Sequence, residues 1–131
     1  MIDIPESHRD LLDAPVATMG TIAPDGRPHL SAVWFLADGD TVTVSLNTTR
    51  RKVRNLQRHP ACTLFILDLT NPLRYLEIRG DAQIVPDDDY EFAGRLGQKY
   101  GADVRSFDPP EETRVAVTIV PVRVNAVNIG G

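Results

Sequence analysis

The chain has little with which to staple itself or to hold a metal. Its 131 residues include one cysteine and three histidines. A lone Cys62 excludes an internal disulfide, and its place in the apolar run Ala61–Leu67 marks it as a small buried hydrophobe in a reducing compartment. The histidines are scattered, so no metal set is expected, and no Ser-His-Asp or Cys-His arrangement can be argued from spacing. His8 reads as a solvent-facing helix residue and His29 as a satisfied structural one. No stretch approaches the roughly 18 apolar residues of a membrane helix, and the opening MIDIPESHRD has no apolar signal core. The expectation is a cytoplasmic protein with no membrane partner. Positive charge is also short: 14 Lys+Arg stand against 18 Asp+Glu, for a net charge of −4. That balance argues against a nucleic-acid partner. There are no repeats and no low-complexity tract. A hydrophobic content of 42% fits one globular domain spanning residues 1–131.

Against that acidic background one stretch is conspicuously basic. Arg50, Arg51, Lys52, Arg54 and Arg58 place five cations in nine residues with no acid among them. Val53 and Leu56 sit three apart and can face a core, so the stretch reads as a short helix ended by Pro60. It follows the alternating strand Thr41–Leu46 and the turn-forming Asn47, Thr48 and Thr49, whose side chains can satisfy free backbone N–H groups. Cations on a first helical turn oppose the macrodipole. The segment is therefore either a solvated charged face or a seat for an anion, and backbone N–H groups, a threonine hydroxyl and guanidinium forks together suit a phosphate.

The remaining chain reads as follows. Asp3, as cap, opens a helix carrying Leu11 and Leu12, and Ala14-Pro15 stops it. Val16–Ile22 is a strand, and the turn Ala23-Pro24-Asp25-Gly26 separates it from a second, His29–Leu36, apolar on both faces. A second hairpin turn, Ala37–Asp40, leads to the strand ending at Leu46. Ala61–Leu67 should be the most buried strand. Leu73–Val85 is a long strand with a bulge or bend at Gly80. Pro86 and Asp87–Asp89 cap a helix with Tyr90, Ala93, Leu96 and Tyr100 at helical spacing, closed by Gly101. After a polar loop over 102–112, Arg114–Val120 alternates and continues to Val127 past Pro121, a bend expected at an edge or bulge. Six strands with two-sided apolar character point to an α+β, small-barrel architecture.

The segments TIAPDGRPHLSAVWF, VSLNTTRRKVRNLQRHP and RYLEIRGDA together resemble the pyridoxamine 5′-phosphate oxidase-like split β-barrel superfamily. Within it the chain is similar to the actinobacterial branch that uses the deazaflavin coenzyme F420. The resemblance runs from about Val16 to Val85. It implies a six-stranded antiparallel split barrel with peripheral helices, and a homodimer with cofactors at the subunit interface. Ser31, Ala32, Val33 and Trp34 would lie along the ring edge. Ser45, Thr49, Arg50, Arg51 and Lys52 would take the phosphate, and the partner subunit's Tyr75 would complete the site.

Flavin-mononucleotide oxidases of vitamin B6 metabolism carry an Arg-Gln pair where this chain has Arg74-Tyr75. They also end in a Trp- and Arg-containing segment, in contrast to VRVNAVNIGG. The resemblance therefore favours coenzyme F420 over FMN. It implies an F420H2-dependent oxidoreductase passing a hydride to an unsaturated or quinone-like small molecule. An FMN flavoprotein and a non-enzymatic cofactor or tetrapyrrole binder are the alternatives. No protein acid or base is assigned; solvent or the Tyr75 hydroxyl would supply a proton.

Overall fold

The computed structural model describes residues 2–130. Its strands are β1 (Ala17–Ile22), β2 (Pro28–Val33), β3 (Leu36–Asp38), β4 (Thr41–Asn47), β5 (Ala61–Leu67), β6 (Arg74–Pro86) and β7 (Arg114–Asn128). Helix α1 spans Arg51–Arg58, helix α2 spans Glu91–Tyr100, and short 3-10 helices cover Glu6–Asp13 and Val104–Phe107. All strands join one antiparallel sheet in the order β2-β1-β5-β6-β7-β4-β3.

That order forces the sheet to curl. β2 and β3 are its two edges, yet only Trp34 and Phe35 separate them in the chain. Three Cα steps reach at most about 11 Å, whereas the edges of a flat sheet of this width would lie about 29 Å apart. The sheet therefore rolls into a half-closed barrel and crosses its own gap at this corner.

The structure thus has seven strands where the sequence suggested six, because His29–Leu36 is interrupted. The interruption is held by α2. The Phe35 N–H bonds to the Tyr100 hydroxyl at 3.2 Å, and Lys99 Nζ donates to the carbonyls of Phe35 (2.9 Å) and Ala14 (3.0 Å). Backbone groups that leave the ladder thereby keep partners, as buried backbone requires.

The interior is a continuous apolar row. Met19, Leu64 and Ile78 are cross-strand neighbours, each almost wholly inaccessible. Val42, Val44, Val117 and Ile119 continue it across β4 and β7. At the β6–β7 crossing the register shifts: Arg79 pairs with Arg123 and Gly80 with Pro121, leaving Val122 as the extra residue. A Cβ on Gly80 would lie 2.1 Å from the Val120 carbonyl oxygen, so the expected bulge requires glycine. Cys62 is buried beside it, and burial, reinforced by Asp81, pushes its thiol up to about 11.

Several local expectations are corrected. The N-terminal helix is 3-10, begins after Pro5, and has no side-chain cap; Asp3 does not cap it. His8 is buried, not solvent-facing: its ring nitrogens meet Ser7 Oγ at 2.8 Å and the Val127 carbonyl at 3.0 Å. β2 is not covered on both sides, since Leu30 is 65% exposed. Among the described residues no helix is long and apolar enough to cross a membrane.

Candidate functional site

A cleft of about 390 Å³ opens where β4 turns into α1. Its polar lining is Ser45, Asn47, Arg50, Lys52 and Arg114; its apolar lining includes Trp34, Phe107, Leu96 and Val104.

The polar group is assembled by strand register. β4 and β7 pair Asn47 with Arg114 and Ser45 with Ala116, so Ser45, Asn47 and Arg114 share one face. The alternate residues Val44, Leu46, Val115 and Val117 enter the core. Asn47 then directs the turn: its Oδ1 accepts the Thr49 N–H at 2.9 Å and the Thr49 hydroxyl at 2.7 Å. This Asx turn delivers the chain to Arg50, which begins α1 without any side-chain cap. Val53 and Leu56 anchor the helix in the core. Arg50 and Lys52 are left at the cleft, and neither has an ion pair among the described residues. Lys52 is half-buried, and its pKa is lowered first by burial and then by the charge of Arg50.

Arg114 differs from these two cations in being held. Its Nε and Nη2 donate to Asp108 at 2.6 and 3.1 Å. The same carboxylate accepts Asn47 Nδ2 at 3.0 Å and the Tyr90 hydroxyl at 2.7 Å. Burial raises the Asp108 pKa, but Arg114, Tyr90 and Asn47 outweigh it and hold the carboxyl down at about 2. Tyr90 sits in the left-handed region, with φ 57°, at the start of α2. That conformation is uncommon for a tyrosine, and its hydroxyl is the end of this network.

The apolar group is built on the β2–β3 corner. Trp34 stacks on Tyr100 with ring centroids 4.2 Å apart and planes 5° apart, and meets Phe107 edge-on at 6.0 Å. Phe107 remains 56% exposed. A flat hydrophobic surface thus lies in the same cleft as an uncompensated cation pair.

Of the residues anticipated from the sequence, Ala32, Val33, Trp34, Ser45, Arg50 and Lys52 line the cleft. Ser31, Thr49, Arg51 and Tyr75 do not. Ser31 pairs with Met19 and shares its inward face, where its hydroxyl is buried without a partner. Thr49 is spent on the Asx turn, and Arg51 is exposed outside the lining. Tyr75 packs on Phe65 at 4.9 Å on the outer surface of β5 and β6. Sequence reasoning missed Asn47 as a lining residue, along with Arg114, Leu96, Val104 and Phe107. The available signals were an arginine opening the otherwise small and β-branched run RVAVTIV, and a lone phenylalanine in the polar 102–112 loop.

These features coincide with a known family. A family model described as Pyridoxamine 5′-phosphate oxidase matches residues 4–128, so the chain belongs to that family. This is a class of oxidoreductase-type split barrels that take flavin-type cofactors. Among solved structures, one named F420 Reductase is 34% identical, with a TM-score of 0.82, covering 93% of this chain and 98% of the other. A conserved hypothetical protein from Mycobacterium tuberculosis is 25% identical at TM-score 0.76, covering 97% and 86%. A putative pyridoxamine 5′-phosphate oxidase from Listeria innocua shares the fold at 22% identity and TM-score 0.72, covering 94% and 97%.

Proposed function

We propose that this protein is an F420H2-dependent oxidoreductase that reduces an unsaturated or quinone-like small molecule. The observation that carries the reading is the union, in one cleft, of the acid-free pair Arg50 and Lys52 with an aromatic wall in which Phe107 meets the flat Trp34 ring edge-on. The donor set fits a phosphate-bearing cofactor: two unpaired cations, the Ser45 hydroxyl and the Asn47 amide lie together. The 34% identity to a protein named F420 Reductase supports the deazaflavin over FMN.

The bound deazaflavin would supply the hydride, from its central ring carbon. The protein's part is binding, orientation and exclusion of water. Arg50 and Lys52 supply charge to the phosphate, while the backbone and side chains of Ala32 and Val33 border the ring. Trp34 and Phe107 shield the reacting face from solvent and offer a surface on which a flat acceptor stacks. The lining holds no carboxylate and no imidazole, and its unpaired ammonium, Lys52, is committed to the phosphate, so a proton would come from solvent or from the partner subunit's Tyr75. That last contribution belongs to a homodimer, for which the exposed Leu30 and Val122, lining one groove with Ile22 and Pro28, are the motive. We read the chain as a single split-barrel domain in this assembly.

Equilibrium titration with F420 and with FMN, followed by quenching of the single tryptophan, tests the cofactor. Tighter binding of FMN, or yellow flavin-loaded protein on purification, moves the assignment to an FMN flavoprotein. Stopped-flow reoxidation of bound F420H2 by enones and quinones tests the reaction. Absence of turnover with every acceptor would leave a cofactor carrier rather than an enzyme.

A further inference from the structure

Arg114 lies 69 residues from Ser45 in sequence, yet its Nη1 is 3.3 Å from Ser45 Oγ and 3.4 Å from the Ser45 carbonyl. These contacts are longer than ordinary N–H···O hydrogen bonds, so Ser45 holds Nη1 only weakly at the cleft wall, where a phosphate oxygen can replace it. The other two guanidinium nitrogens are clamped by Asp108. Arg114 and Asp108 side chains are only 11% and 3% exposed, and Asp108 is fixed in turn by Asn47 and Tyr90. An arginine held in this way presents one N–H edge in a set direction. It surrenders little side-chain freedom when a ligand arrives, unlike the long stems of Arg50 and Lys52.

We infer that Arg114 is a third anion-binding residue of the cleft, donating from Nη1 to the cofactor phosphate beside Ser45, and that Asp108 is its positioning residue. The inference rests on the reading that the cleft takes a phosphate-bearing cofactor. It assigns a division of labour that the basic helix alone does not provide. Arg50 and Lys52 supply net charge, whereas Arg114, neutralised by Asp108, supplies direction. The competing account is that the Arg114–Asp108 pair only fastens the 102–112 loop to β7.

Four full-length proteins decide between them: wild type, Arg114→Gln, Arg114→Lys and Asp108→Asn. Each is titrated with F420 and FMN, and with riboflavin and the deazaflavin chromophore as phosphate-free counterparts. Circular dichroism melts report folding. Both Arg114 variants should weaken the phosphate-bearing cofactor by about tenfold or more. Lysine keeps the charge but cannot grip Asp108 and face Ser45 at once. The phosphate-free counterpart should bind within about twofold of wild type. Equal weakening of both ligand forms, or no weakening, would reduce Arg114 to a loop fastener and overturn the inference. Should Arg114→Gln fail to fold, Arg114→Lys carries the comparison. Asp108→Asn should also weaken the phosphate-bearing form; tighter binding would mean that Asp108 restrains Arg114 rather than positioning it. If wild type binds neither cofactor, the function proposed above fails, and inorganic pyrophosphate then tests Arg114 alone by phosphorus NMR. Weaker pyrophosphate binding by Arg114→Lys supports the inference; identical binding, or none by wild type, overturns it.

Discussion

Replacing Lys52 with methionine removes an ammonium while keeping an unbranched stem in the same half-buried position. In the cofactor-free protein that ammonium is disfavoured, since burial and then Arg50 lower its pKa from 10.5. Between the lowered value and 10.5 the unfolded chain holds the proton and the folded chain does not, so stability there rises with pH. Below that window the charged lysine is a standing cost to the fold. Lys52→Met should therefore melt at the wild-type temperature or slightly above it at neutral pH. Cofactor binding should move the other way. A hydrogen bond to a charged group contributes about 1.5–3 kcal/mol, so affinity for the phosphate-bearing cofactor should fall roughly tenfold to a hundredfold. Arg51→Met is the control, because Arg51 is exposed on the same helix and does not line the cleft. Titration by tryptophan quenching gives the affinities, and calorimetric melts give the stabilities. Affinity within about twofold of wild type, or an equal loss in Arg51→Met, would refute the anion seat and leave a diffusely charged helix.

Asp108, held at about 2 against an ordinary 3.8, should contribute on the order of 2 kcal/mol of stability above pH 4. That contribution should fade as pH falls towards 2, because the unfolded chain takes up the proton first; Asp108→Asn should lack this part of the acid transition in denaturant titrations. Gly80→Ala should destabilise by about 3 kcal/mol or prevent folding, since its Cβ would meet Val120 backbone at 2.1 Å; expression and chemical denaturation report it. Lys99→Met should cost about 1–3 kcal/mol by leaving the Phe35 and Ala14 carbonyls without their donor, and should red-shift Trp34 emission as the corner loosens.

The parts of the site that lie close together in the chain were legible in advance. β4, the Asn47–Thr49 turn and α1 are consecutive, and each announces itself locally: alternation for the strand, turn-forming side chains, then Val53 and Leu56 at helical spacing. Arg50 and Lys52 could thus be placed at one spot without knowing the fold, and the family resemblance added Ser45. Arg114 could not, because nothing near it in sequence says that β7 will pair with β4 in the register that sets it against Asn47. Phe107 was hidden for the same reason. His8 was misplaced because a 3-10 turn of this length has too little periodicity to show which side meets β7.

Composition and pattern by themselves pointed to an α+β small barrel with a basic helix start in an acidic chain, since periodicity and charge are local properties of the polymer. The corner at Trp34–Phe35 belongs to the tertiary structure alone. A run apolar on both faces reads as one buried strand, and equally as a strand that leaves one sheet edge and joins the other. The choice falls to Lys99 and Tyr100, more than sixty residues on, which supply the hydrogen bonds that the Phe35 backbone loses at the bend. Closing the sheet there places Trp34 in the cleft shared with Arg50 and Lys52. The site exists because a long-range closure satisfies backbone groups that no local pattern could show to be free.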